Sequence, residues 1–479
     1  MRLVLNDDAR ANRARGPDES EREGSAAAVD GGKEMSGTAR VTPAPAPGSP
    51  LSGAFPAASP APGGLAAANS PPFRLPGEHF AAALALWGVG AVGLVWVAPL
   101  VALGMFPLPQ VVGVTHLFTL GWITTSILGA LYQFLPVALL QAIRSQRVAH
   151  VGFWLYVPGL LAFVGGLVGG ERPLLLGGAV AFATGLTLFV GNLGATLAKV
   201  RKRDLTWWSL AGAGVFLLAT IGLGLTLAVN LGSGVLGEHR FLALGVHMHV
   251  ALAGWVLLVM IGVARHLLPM FLLSHGASER PGRLAATLVG AGVLTLALLH
   301  HVVPVVMFRV AAIVIWVGAA AFLVQGELYF RHRIRPQLDP GMRLAGASLA
   351  FLALALLLAP AALWTGLSAP RVVTAYIAAA VLGISLFVAA HYYKILPFLV
   401  WYHRFGPLAG KRPVPRVAEL YRARTATVAG VLLVNGALGI VVATLLGAGL
   451  VARLAAVAYA AGAAVVIGQM AAIARRRPE

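Results

Sequence analysis

The 479-residue chain contains no cysteine. That excludes disulfides, thiolate catalysis, Cys-ligated zinc and iron–sulfur clusters. Any bound metal must be held by His, Met or carboxylate. Charge is scarce too: only 11% of residues are Asp, Glu, Lys or Arg, against 58% hydrophobic ones. A soluble protein of this length cannot hide so much apolar surface in its cores. A lipid bilayer can, and it forces the chain into helices long enough to span it. Acidic residues are the rarer charge, 17 against 36 basic ones, for a formal net charge of +19. The Lys and Arg fall in short runs between apolar stretches, which is the pattern that orients a membrane protein. The expected partner is therefore the lipid bilayer, and no nucleic acid is expected.

Two regions differ in composition. Residues 1–74 are rich in Ala, Pro, Gly and Ser, as in TPAPAPGSPLSGAFPAASPAPGG, after a charged start. Such a stretch cannot bury a core and reads as a disordered tail. It lacks the short apolar core of a signal peptide, so a cytoplasmic tail is expected. Residues 75–479 read as an all-α integral membrane domain of about twelve transmembrane helices. Basic loops follow every second span: Arg144 and Arg147, then KVRKRD, then Arg280 and Arg283, then RHRIRPQ, then HRFGPLAGKRPVPR. The intervening loops carry few charges. This alternation predicts a multi-pass protein of the inner (plasma) membrane with both termini cytoplasmic.

The second and sixth spans share one pattern, H-x4-G-W-x6-G-x5-L-P. His116, Gly121, Trp122, Gly129 and Leu135-Pro136 match His249, Gly254, Trp255, Gly262 and Leu268-Pro269. The tenth span ends in Leu396-Pro397, and counting back by the same spacing reaches Ile377 where the histidine should stand. A pattern recurring every fourth span predicts three four-helix units, with spans two, six and ten equivalent about a pseudo-threefold axis.

Five histidines reach one depth. His116, His247 and His249 lie near the outer starts of the second and sixth spans, and His300 and His301 near the outer end of the seventh. Ionisable groups in spans are costly and mark function, and neutral imidazole is the commonest protein ligand of metals. His247 and His249 are two positions apart, about 200° around a helix, so they face different neighbouring spaces. His266 and Lys394, at the cytoplasmic ends of their spans, read as snorkelling to the interface, as does His391. His79, His150 and His275, at span ends, read as solvated.

These features resemble subunit I of the heme–copper oxidases. The segment HLFTLGWITTSILGALYQFLP is similar to the second span of the nitric-oxide-reductase-like branch, HMHVALAGWVLLVMIGVARHLLP to the heme-ligating helix, and the His300–His301 pair to the seventh-span copper ligands. The resemblance covers about residues 78–474. It implies a cytochrome-oxidase-subunit-I-like fold, a heme held by His116 with His249 or His247, copper held by His300 and His301 with a sixth-span histidine, and an electron-donor subunit or cytochrome as partner. It implies oxidoreductase chemistry of the oxidase or nitric oxide reductase type. One departure stands out: the tenth span carries Ala375 and Ile377 where the family has HxH. This points to a divergent member without full oxidase chemistry. Two alternatives share the layout, an NnrS-type heme–copper membrane protein and a twelve-span transporter without cofactor. Against the transporter, the loop LLQAIRSQRVAH lacks the G-x3-D-R-x-x-R pattern of the major facilitators, and three units do not match the two halves usual there.

Overall fold

The computed structural model describes residues 71–299 and 304–478. Most of the 1–74 tail and the His300–His301 pair lie outside the described residues. The described residues hold twelve helices long and apolar enough to cross a membrane, the build of a multi-pass membrane protein. In chain order they are α1 (Arg74–Ala102), α2 (Pro109–Ala138), α3 (Gln146–Gly169), α4 (Arg172–Leu197), α5 (Leu205–Ser233), α6 (Gly237–Leu272), α7 (Arg280–Leu299), α8 (Val305–Arg331), α9 (Pro340–Ser368), α10 (Pro370–Leu408), α11 (Ala423–Leu446) and α12 (Gly449–Arg475).

Local sequence sets the helix ends. On the face carrying the basic loops, Ser145, Asp204 and Asp339 cap α3, α5 and α9 by accepting from the N–H groups of Val148, Trp207 and Met342. Each cap satisfies a donor that the first turn leaves orphaned. On the opposite, far face, α3, α5 and α11 stop at Gly170, Gly234 and Gly447, all in the left-handed conformation that glycine adopts without strain.

Successive helices pack side by side, and α12 returns to pack on α1, so the outer helices close into a ring. Burial shows which stand inside it. In α2, α6 and α10, 72%, 61% and 61% of the most apolar stretch is buried, against 28–50% in the other nine. Lipid hides no backbone polar group and supplies no hydrophobic drive between helices, so close packing over small residues must hold them together. The shared motif is where this packing happens. A side-chain carbon at Gly121, Gly254 or Gly383 would come within 3.0, 2.8 and 3.0 Å of the β-carbons of Leu86, Phe216 and Phe351. The preceding helices α1, α5 and α9 thus rest on the three inner helices at matching points.

The outer hairpins repeat as well, a signal outside the motif. Gly159 and Gly185, Gly292 and Gly318, and Gly436 and Gly462 recur at one spacing in α3–α4, α7–α8 and α11–α12. An added carbon at Gly185, Gly318 or Gly462 would meet the backbone nitrogens of Tyr156, Val289 and Leu433 at 2.8, 2.8 and 2.9 Å. Each hairpin therefore crosses at the same backbone-to-backbone contact.

One register expectation needs correction. Both α2 and α6 widen into π-helical turns, over Leu117–Thr124 and Val250–Leu257, whereas α10 stays α-helical from Pro370 to Val400. A π turn adds one residue to a helix without adding length. With Gly383 in the place of Gly121 and Gly254, the tenth-span counterpart of His116 and His249 is Ala378, not Ile377. The tenth span has still lost the histidine.

Candidate functional site

Three spaces separate the inner helices from the ring, and the repeat makes them comparable. The first lies between α10, α12, α1 and α2, and it is filled. Trp87 and Trp122 stack at 4.3 Å with ring planes 7° apart. The Trp122 indole donates to Ser385 Oγ at 2.8 Å, Ser385 bonds the Tyr459 hydroxyl at 2.7 Å, and Trp87 donates to that hydroxyl at 3.3 Å. Trp87, Trp122 and Tyr459 are fully buried. Every polar atom of the cluster has a partner, which is the condition for burying it in lipid.

The second space lies between α2, α4, α5 and α6, and it holds a histidine pair. His116 Nδ1 donates to the Val112 carbonyl at 2.8 Å. A carbonyl only accepts, so in the neutral ring Nε2 keeps its lone pair. His247 lies within electrostatic reach of His116, across from α2. Its Nδ1 is enclosed and has no hydrogen-bond partner, and a side-chain carbon at Gly224 of α5 would come within 3.1 Å of its ring. Trp255 closes the floor, donating to Thr124 Oγ1 at 3.1 Å and standing edge-on to Phe189.

The third space lies between α6, α8, α9 and α10, and it is hollow, with a volume of about 760 Å³. His249 opens on it. Its Nδ1 donates to the Gly245 carbonyl at 2.8 Å, leaving Nε2 unbonded. Tyr376 of α10 stands 6.3 Å from the His249 ring, nearly parallel, and Phe308 of α8 meets that ring edge-on at 5.3 Å. By the corrected register Tyr376 is the counterpart of His247. By register, the His249–Tyr376 pair therefore matches the positions of His116 and His247.

The expectation that His247 and His249 point into different neighbouring spaces matches this placement: His247 lies near His116, and His249 lines the cavity. Among the described residues no three His, Asp or Glu side chains converge as a metal cage would require. His300 and His301 cannot be placed, since they lie outside those residues.

Four other polar groups sit differently from expectation. His79 is buried between Tyr132 and Phe153, not solvated. His391 is also buried: Nδ1 donates to the Phe387 carbonyl at 2.7 Å, and its enclosed Nε2 has no partner. His266 bonds Thr206 at 3.0 Å, and Lys394 pairs with the α9 cap Asp339, so neither merely snorkels. Near them Arg265 bridges Asp204 at 2.6 Å and Glu279 at 2.9 Å. The Arg265 guanidinium holds the Glu279 carboxyl below the usual carboxylate range. Burial raises Asp204, but the Trp207 N–H and Arg265 outweigh it, so Asp204 also ends below that range.

Tyr376 and the cavity residue Arg309 were not singled out from the sequence. Tyr376 carries a signal only once the π turns are known, because they shift the register by one. Fold and site together define a twelve-span membrane protein with two histidine-bearing spaces in its interior. No family model matches the chain, and a search of curated proteins finds no match.

Proposed function

We propose that this is a heme-binding redox membrane protein, built as three four-helix units about an approximate threefold axis in the manner of subunit I of the heme–copper oxidases. The matching glycine contacts of the inner helices and of the outer hairpins support that architecture. One observation carries the heme reading. His116 and His247 lie within electrostatic reach of each other beside the second space, one with an unbonded Nε2 and the other with an enclosed, partnerless Nδ1. A buried polar atom without a partner is rare and calls for an occupant. A neutral imidazole whose other nitrogen is tied to a carbonyl is oriented as metal-ligating histidines are. The residues fit the group in their chemistry: His116 and His247 would hold the iron, Gly224 leaves room beside the His247 ring, and Trp255 with Phe189 keeps water out. Heme there would supply one-electron redox chemistry, with a cytochrome or donor subunit feeding it.

The absorption spectrum of the purified protein tests this. A Soret band with sharp reduced α and β bands is expected, lost or converted to high spin in His116→Ala and in His247→Ala, and retained in His249→Phe. A spectrum without a Soret band removes the reading and favours a transporter. Copper, with His249 joining His300 and His301, is the second part of the proposal; heme-replete protein that contains no copper removes it alone.

A further inference from the structure

Arg309 is a cation near the far end of a membrane span, and no acidic side chain among the described residues neutralises it. It sits four residues into α8, about 6 Å from the helix start at the far face. Its side chain is half-buried and lines the third space. Its one ring contact is Trp364 of α9, 4.9 Å below the guanidinium. Near the membrane interface such a charge seeks an anion, and a cation–π contact meets only part of that need.

The cavity beside it is apolar and opens toward lipid. Phe308, Ile313, Leu352 and Ile384 line its wall. The rim residues Val305, Ile313 and Trp364 are 60%, 50% and 72% exposed on the ring's outer side, so the entrance lies between α8 and α9. Across that gap the Trp316 indole reaches the Leu356 carbonyl at 2.8 Å. An occupant arriving here comes from the bilayer, carries an apolar body, and brings the negative charge Arg309 lacks. Arg binds phosphate through paired N–H donors, and its depth is close to that of lipid phosphates.

We infer that the third space is a binding site for one anionic phospholipid, its phosphate on Arg309 and an acyl chain laid along the α8–α9 gap into the cavity. The site is separate from the His116–His247 pair and stands whether or not that pair holds heme.

The test uses the full chain in phosphatidylcholine nanodiscs with and without phosphatidylglycerol, with bound lipid counted by native mass spectrometry after detergent exchange. Wild type should retain one phosphatidylglycerol and prefer it over phosphatidylcholine by about fivefold, the scale of one arginine–headgroup contact. Arg309→Leu should lose the preference, and Arg309→Lys keep part of it. Arg371→Leu, a charge removal at the start of α10 on the same face, should leave it intact. Leu352→Trp, which fills the cavity without touching the charge, should expel the lipid and so tests the site even if Arg309→Leu fails to fold. Equal retention by Arg309→Leu and wild type overturns the inference. So does equal loss in Arg371→Leu, or a cavity found to hold a porphyrin or quinone in place of phospholipid.

Discussion

The first and third spaces are bounded by matching glycine contacts, yet side chains fill one and leave the other hollow. Where the first has Trp122, Trp87 and Tyr459, the repeat places Ile384, Leu352 and Ile315 in the third. Three aromatics have become three aliphatics at matching positions, and α8 and α9 meet less closely there than α12 and α1 do. The glycine crossings on either side of the two spaces are alike, but none of them joins α8 to α9. The comparison teaches that glycines fix the close approaches inside each hairpin and between each inner helix and the helix before it, while the residues facing each space decide how closely the bounding helices meet and whether the space is a core, a histidine pair or a cavity.

The largest effect should come from emptying the filled space. Trp122→Ala removes a fully buried indole, its stack on Trp87 and its bond to Ser385, and should lower stability by about 3–5 kcal/mol. Ile384→Ala, its counterpart at the cavity wall, removes a buried side chain but no ring stack and no hydrogen bond, and should lower it by about 2 kcal/mol, the low end for such truncations. Reversible unfolding in detergent compares the two, and equal losses would break the comparison.

A reciprocal exchange sharpens it. Trp87→Leu should destabilise by about 2–3 kcal/mol as a large-to-small core change. Leu352→Trp, the reverse exchange at the matching position, should escape the about 1–3 kcal/mol usual for overpacking. A thermal midpoint for Leu352→Trp well below wild type would show that the third space is not open at that point.

Smaller still is the effect expected at the basic face, where the α5–α6 and α9–α10 corners are tied by Arg265 to Asp204 and by Lys394 to Asp339. Glu279 and Asp204 are held below the ordinary carboxylate range when folded. Their stabilisation is therefore present above the unfolded value of about 4, and is lost as the pH falls through the depressed folded values. Melting midpoints should drop on acidification below about pH 4. Glu279→Gln should reduce that drop modestly, since Glu279 is about a third exposed and such pairs are screened. An unchanged acid profile in Glu279→Gln would remove its share.

Much of this was legible in the sequence. Scarcity of charge and long apolar runs dictate twelve spanning helices, because lipid leaves the backbone no other way to satisfy its hydrogen bonds. The H-G-W-G-L-P repeat already marked α2 and α6 as related, and the structure shows why glycine and tryptophan adjoin there. Gly121 and Gly254 let the preceding helix approach, while Trp122 and Trp255 reach across to the next inner helix. The 200° separation of His247 and His249 implied two spaces, and two spaces are found.

Other features depended on tertiary structure. A π turn is a one-residue accommodation to packing, invisible to periodicity, and it alone decides that Ala378 and Tyr376 match His249 and His247. His79 and His391 sit near span ends, where sequence favours solvation, yet neighbouring helices cover them. The hollow third space is written nowhere as a motif, because a cavity is the absence of side chains contributed by four separate helices. The sequence by itself determined that the chain folds as twelve helices and which small residues allow close approach, since both follow from local composition in lipid. Which histidines come near each other, which line a cavity, and that Arg309 has no acidic partner among the described residues were decided only when distant helices met, because contacts between residues far apart in the chain have no local signature.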